Sequence, residues 1–213
     1  MPKLLIAIAS CQAWEDDGSN QAVRDTWKKD VPAGVDCFFF QGIGSTPKND
    51  LVIVDAPDDY LGIIRKTQAI HTWAFQNGYD FVFQCWSDTY VNVKALLESG
   101  FEKHDYFGHS SPYVHDWFRE EVPQGYLGGG EGWWTSRHAC EIIMNAESTT
   151  SPLYNNGAAD DLWWGYVLAK AGIAMVDHLG YGSGITLHGS VHTGGQGKYD
   201  KNWMYRTYDD NRR

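Results

Sequence analysis

Long hydrophobic runs are missing from this sequence. The longest opening apolar stretch, Leu4 to Ala9, is far too short for a bilayer span, and no n-region or cleavage site accompanies it. The expectation is a soluble, cytoplasmic chain with no membrane insertion. Cysteine is scarce and scattered: Cys11, Cys37, Cys85 and Cys140 share no C-x-x-C spacing, which excludes a locally encoded zinc knuckle or redox pair. Reduced, mostly buried thiols are expected instead. Positive charge is also short, since 17 Lys and Arg against 27 Asp and Glu leave a net charge of -10. That balance offers no general attraction to nucleic acid or anionic lipid. The exception is residues 189–213, where Lys198, Lys201, Arg206, Arg212 and Arg213 outnumber Asp200, Asp209 and Asp210. No HExxH, GxSxG or Walker-type pattern, internal repeat or low-complexity tract is present.

What the chain has in excess is aromatic surface, with 10 Trp and 12 Tyr in 213 residues, more than a core needs. Such rings stack on flat or ring-shaped ligands, sugars and bases included. A hydrophobic content of 43% is enough for one sizeable core. The pattern reads as a strand over Lys3 to Ala9, then a helix capped by Asn20 that carries Val23 and Trp27. Strands follow over Val35 to Gln41 and Leu51 to Asp55, the latter delivering Asp55, Asp58 and Asp59 at its carboxyl end. Tyr60 to Gln76 has a helical apolar stripe stopped by Asn77-Gly78, and Tyr79 to Gln84 is a fourth strand, followed by a short helix ending near Leu97. The order β-α-β-β-α-β-α predicts an α/β fold with a Rossmann-like, mostly parallel sheet and flanking helices, its first half over about residues 1–110. The remainder, about 111–213, is richer in Gly and aromatics, with helices over Ser136 to Ala146 and Asp160 to Ala171. Gly189 to Lys198 reads as a mobile flap, and the tail as basic and aromatic. No interdomain linker is visible, so 1–213 is expected to form a single domain.

Three constellations could carry chemistry. Asp88 follows a strand end, where a carboxylate can hold a divalent cation against a diphosphate; the plain alternative is a turn or helix-cap aspartate. Asp160 and Asp161 open a helix, a position that suits both ordinary capping and general-base work. His188 follows Ile185-Thr186-Leu187 and could supply a second metal ligand from far along the chain, or be a satisfied structural residue. The run Gly128-Gly129-Gly130-Glu131-Gly132 lacks the strand-then-helix context of a dinucleotide site and signals close backbone approach.

In order, AVRDTW (Ala22 to Trp27), the Lys66-Thr67 pair, YDFVFQCWSDTYVNV (Tyr79 to Val93), YLGGGEGWWTSR (Tyr126 to Arg137) and ADDLWWGYVLAKAGI (Ala159 to Ile173) resemble the β-1,3-galactosyltransferase and fringe-like glycosyltransferases. The resemblance covers about residues 4–190. It implies a GT-A fold, a UDP-sugar donor, a divalent metal (Mn2+ or Mg2+) and inversion at the anomeric carbon. By position it implies Asp88 and His188 as metal ligands, and Asp161, with Asp160 as alternative, as catalytic base. It places Asp88 and Ser10 on the donor side, Arg24 and Lys66 there as donor contacts or as scaffold residues, and Gly129 and Gly130 where the backbone approaches sugar and acceptor. Trp133, Trp134 and Trp163 are the expected stacking faces for sugar or base, with helix position making Trp163 or its neighbour Trp164 partly core.

Two departures matter. The family's triple aspartate is here Trp86-Ser87-Asp88, which deletes two carboxylates, although a diphosphate supplies oxygens enough for one carboxylate and a neutral His to complete a cation site. The membrane anchor and stem of the Golgi members do not appear, which points to a viral or bacterial setting. The acceptor is then a glycan or glycoprotein, or a hydroxymethylated base in DNA, an option motivated by the basic aromatic tail and opposed by the overall charge. A non-catalytic sugar- or nucleotide-binding relative is the remaining alternative.

Overall fold

The computed structural model describes residues 2–111, 122–147, 160–189 and 200–212. The first half runs β1 (Leu4–Ala9), α1 (Gln12–Asp16), α2 (Ser19–Asp25), a 3-10 turn (Trp27–Asp30), β2 (Val35–Gln41), β3 (Leu51–Ile53), α3 (Ile63–Gln76), β4 (Phe81–Trp86), β5 (Thr89–Val91), α4 (Val93–Leu97), a second 3-10 turn (Phe101–Lys103) and β6 (Tyr106–Gly108). The second half adds β7 (Trp133–Ser136), α5 (Arg137–Asn145), α6 (Asp160–Lys170), β8 (Val176–Asp177), β9 (Thr186–His188) and α7 (Lys201–Asp210). Seven strands form one sheet in the order β3-β2-β1-β4-β7-β6-β8, and β5 pairs with β9 in a second, two-stranded sheet. Strand β7 runs antiparallel to both of its neighbours, β4 and β6, and the other neighbours in the large sheet are parallel.

The apolar run Leu4–Ala9 is central because both of its faces are covered. Alternating side chains point to opposite sides of a strand: Ile6 and Ile8 join Val23, Trp27 and Met204 on one face, while Leu5, Ala7 and Ala9 join Ile70 and Ala74 of α3 on the other. Each fully buried isoleucine contributes roughly 1.5–3 kcal/mol. Strand β1 pairs with β2 on one side and β4 on the other. The chain therefore leaves β1 in one direction and returns past it in the other, which opens a crevice beyond the carboxyl ends of β1 and β4, where α/β sheets bind ligands.

Several boundaries differ from expectation for local reasons. Helix α3 starts at Ile63 rather than Tyr60, because the Asp59 carboxylate accepts the Gly62 amide at 2.7 Å and holds Tyr60 to Gly62 in a turn. Asn20 lies inside α2 rather than capping it; Gly18, at a φ of 86°, precedes the helix. The Asn20 side chain instead bonds Ser10 and Glu15. Ser136 caps α5 through its hydroxyl, which accepts the Ala139 amide at 3.2 Å. All four cysteines are unbridged, with Cys85 and Cys140 buried and Cys11 and Cys37 half-buried.

The tail was expected to be a basic aromatic patch, and its described part is a helix laid on α2. Its cations are spent on neighbours: Arg206 pairs with Asp200, Arg212 with Asp30, and Lys201 donates to the Asp17 carbonyl. Tyr205 and Tyr208 reach Asp25 and Asp30. The Gly189 to Lys198 flap lies, beyond Gly189, outside the described residues. Among the described residues no helix is long and apolar enough to cross a membrane.

Behind α1, Arg24 ties three segments together. It bonds Glu15 at 2.8 Å and Asp50 at 2.9 Å, with Lys48 also on Glu15 and Lys28 on Asp50. Burial alone would raise the Glu15 carboxyl, but hydrogen bonds from Arg24, Lys48 and Asn20 outweigh it and hold the group down at about 2. A folded value below the unfolded one gives stability that is complete above the ordinary Glu range and is lost as pH falls toward 2. Glu15→Gln should therefore lower unfolding free energy at pH 7 by about 1–2 kcal/mol. In urea titrations the gap between variant and wild type should narrow at pH 3.

Candidate active site

A cleft of about 770 Å³ opens at the crevice beyond β1 and β4. Its first feature depends on strand register. Asp88 stands between β4 and β5, and the antiparallel pairing of β5 with β9 sets Thr89 opposite His188. A further backbone bond, Gly189 N to Asp88 O at 2.7 Å, closes the ladder. Residues 100 positions apart thus meet, His188 Nε2 lying 3.1 Å from Asp88 Oδ2. Burial alone would lower the His188 pKa, but its bond to Asp88 and the charges of Asp88, Glu131 and Asp161 raise it above the ordinary value.

The imidazole sits on Gly130, where a Cβ would come within 2.2 Å of His188 Nδ1. Thr89 holds that glycine in place by donating its hydroxyl to the Gly130 carbonyl at 2.8 Å. The glycine-dense run thus permits a close approach, as the sequence implies, and part of what approaches is the protein's own histidine.

The acidic pair opens α6 beside this site. Asp161 is half-buried, and its carboxylate accepts the Gly129 amide at 3.0 Å and the Leu162 amide at 2.7 Å. Asp160 is buried and accepts the Thr67 hydroxyl at 2.8 Å. Both carboxyls are raised above the ordinary range, Asp160 by burial and then by the Asp161 charge, Asp161 by burial, with the amides of Gly129 and Leu162 opposing it.

On the β1 side, Ser10 and Lys66 both line the cleft, and neither is unengaged. The Ser10 hydroxyl donates to Asn20 Oδ1 at 2.8 Å; Lys66 Nζ donates to the Ser10 carbonyl at 2.6 Å and to Asp58 Oδ1 at 2.8 Å. Asp58 in turn accepts the amides of Gln12 and Gly42, each at 2.7 Å. Burial would raise the Asp58 carboxyl, but Lys66 and these amides hold it below the ordinary range.

The structure brings Ser10, Lys66, Asp88, Gly129, Gly130, Asp160, Asp161 and His188 to one cleft. It corrects four other expectations. Arg24 points away into its ion pairs with Glu15 and Asp50. Trp133 and Trp134 are fully buried, the latter stacked on Phe101 at 3.7 Å between centroids, so neither offers a ring face to a ligand. Trp163 is buried against Tyr166, and Trp164 is also core. Alternation along β7 turns adjacent tryptophans into two different clusters on opposite faces of the sheet. Among the described residues the Trp, Tyr and Phe rings that line the cleft are Trp14, Tyr60 and Trp86. Neither Trp14 nor Trp86 was among the expected rings; the signal that could have found them is position, Trp86 lying two residues past the expected strand Tyr79 to Gln84 and Trp14 in the segment that follows β1.

Electrostatically the cleft is acidic. Asp58, Asp59, Asp88, Asp160 and Asp161 line it, and among the described lining residues Lys66, already paired, is the one Lys or Arg. Asp88 and His188 present an oxygen and a nitrogen donor side by side, which suits a divalent cation that takes its remaining oxygens from a diphosphate. Among the described residues no group of three or more His, Cys, Asp or Glu could hold a metal by itself.

No protein-family profile matches the chain, and no curated protein matches it. Solved structures do. A glycosyltransferase involved in glycosylation of the major capsid of PBCV-1 aligns at 13% identity over 87% of this chain and 94% of that one, with a TM-score of 0.51. The galactosyltransferase LgtC, solved with donor and acceptor sugar analogs, aligns at 11% identity over 81% and 73%, with a TM-score of 0.53. A protein assigned as a nucleotide-diphospho-sugar transferase, from Desulfovibrio desulfuricans, gives 11% identity over 84% and 80% at 0.50. At such identities the likeness is one of fold: the chain has the GT-A glycosyltransferase fold, α/β with a mostly parallel seven-stranded sheet. The finer resemblance to the β-1,3-galactosyltransferase and fringe-like branch rests on the sequence motifs alone.

Because the His188 ring occupies the space of a Gly130 side chain, Gly130→Ala should push it off Asp88 and destabilise the fold by about 1–3 kcal/mol. Imidazole NMR should then show the His188 pKa falling, since the bond to Asp88 that raises it would be broken while burial persists.

Proposed function

We propose that the chain is an inverting glycosyltransferase that moves a sugar from a UDP-sugar to a hydroxyl acceptor with the help of a divalent cation. The observation that carries this reading is the opening of the Asp88–His188 pair and the Asp161 carboxylate into one cleft, at the place where a GT-A sheet reverses its strand order. A donor diphosphate brings two or more negative charges into a cleft lined by carboxylates. Coulomb repulsion in that setting favours binding together with a cation, for which Asp88 and His188 are the donor pair, and the cation would offset charge developing on the departing diphosphate. The seating of His188 on Gly130 keeps its Nε2 beside Asp88, and taking up a cation there would replace their hydrogen bond and require Nε2 to be deprotonated.

Asp161 is the base in this reading. Its carboxylate is held by two backbone amides and half-exposed to the cleft, fit to take the proton of an attacking hydroxyl on the face opposite the leaving diphosphate. Burial raises its pKa, so the ionised, active form accumulates only above the ordinary carboxylate range, and turnover should climb with pH through that raised value. Acceptors compatible with this site are glycan or glycoprotein hydroxyls. The DNA reading loses its motive, since the described cations of the tail are engaged by Asp200, Asp30 and the Asp17 carbonyl.

Release of free UDP from a panel of UDP-sugars, with and without Mn2+, is the test. One sugar should be preferred and release should require the cation. Asp88→Ala should abolish the dependence on Mn2+ together with the activity, and Asp161→Asn should lower kcat by about 100-fold or more while UDP binding persists. UDP binding with no release from any sugar would favour a sugar-nucleotide-binding protein instead.

A further inference from the structure

Two adjacent carboxylates at one helix start invite the assumption that either could be the base, and their surroundings distinguish them. Successive helical residues are rotated by about 100°, so fixing the direction of one fixes the other. Asp160 is turned inward. Its Oδ2 accepts the Thr67 hydroxyl at 2.8 Å, with Gln84 Nε2 at 3.5 Å, and that same amide donates to Thr67 Oγ1 at 3.0 Å. All three side chains are buried, and they come from α3, β4 and α6. Thr67 is itself braced, since His71 Nδ1 lies 2.8 Å from its carbonyl and His71 Nε2 lies 3.1 Å from Thr135 Oγ1 on β7.

We propose that Asp160 is a positioning residue: held by Thr67 from α3 and Gln84 from β4, it fixes the azimuth of α6 so that Asp161 meets Gly129 at the cleft floor. This rests on the reading of Asp161 as the base. Trp164 and Leu168, four and eight residues on, share the face of Asp160, and Leu162 packs on the other side of the helix, all in the same apolar cluster. The directional bonds from Thr67 and Gln84 to the first residue add an orientation-dependent contact on that face, beside the helix start that carries Asp161. A threonine hydroxyl both donates and accepts, so the clamp persists whether Asp160 carries its proton or not. The charge of Asp161 and burial both favour the protonated Asp160, which leaves Asp161 as the carboxylate of the pair that ionises.

The test is amide hydrogen exchange of the full chain, read at Gly129, whose N–H is the one bonded to Asp161 Oδ2. Thr67→Val should speed Gly129 exchange about tenfold or more while the β1 amides keep their protection, and Thr67→Ser should restore it. Asp160→Asn, which still accepts from Thr67, should keep Gly129 protected, and Asp160→Ala should not. In UDP release, Thr67→Val should lower kcat about tenfold with donor KM within about twofold. Unchanged Gly129 exchange in Thr67→Val, or in Asp160→Ala should the valine variant fail to fold, would overturn the proposal. Loss of Gly129 protection in a protein that releases no UDP would uphold the clamp and count against the transferase reading alone.

Discussion

Strand β1 carries the constraint on which the rest depends. An apolar strand buried on both faces needs neighbours on both edges and helices on both sides, and a right-handed connection can serve one edge at a time. The chain therefore pairs β2 on one side, crosses back through α3 and pairs β4 on the other. The reversal leaves the loops after β1 and β4 diverging, and every polar group of the cleft is hung from an element that borders the gap. Ser10 directly follows β1, Asp88 lies in the turn after β4, Lys66 rises from the crossover helix, and Asp161 is delivered by a helix packed against it.

That layout explains why so many charges can be kept near one another. Five carboxylates line the cleft, and each is handled differently: Asp58 by Lys66 and two amides, Asp88 by an imidazole, Asp161 by two backbone amides, Asp160 by a hydroxyl in a dry interior, and Asp59 by the amide of Gly62. Asp58 is met by a lysine, and Asp88 by an imidazole whose pKa it raises. Asp59, Asp160 and Asp161 depend on partial charges, which stabilise an anion less than a cation does.

Much of this was legible from residue order. Strand-then-helix alternation, the buried run Leu4–Ala9 and the placement of Asp88 at a strand end follow from periodicity, and the pairing of Asp88 with His188 was anticipated through the family motifs. The tryptophans were misread because composition counts rings and says nothing about faces. Trp133 and Trp134 sit on a strand with the sheet covered on both sides, so alternation sends one into each layer and neither to solvent. Arg24 was placed on the donor side by motif position, whereas its partners Glu15, in α1, and Asp50, in the turn before β3, come from segments that no local pattern connects. The C-terminal helix was hidden by its polarity, since its buried residues are few, Met204, Thr207 and Tyr208 among them.

Gly130 shows how a weak sequence signal becomes a strong structural one. A glycine-dense run on its own means that something comes close, and the usual guess is a ligand. Here the approaching group is the His188 ring, and the space it takes fixes its distance from Asp88. Any β-carbon at that position displaces the imidazole, so substitution there disturbs the Asp88–His188 pair and the acidic helix start at once, because Gly129, the preceding residue, is the amide that holds Asp161. One short stretch of backbone thus sets the spacing between the Asp88–His188 pair and the Asp161 carboxylate, because its two consecutive glycines touch both.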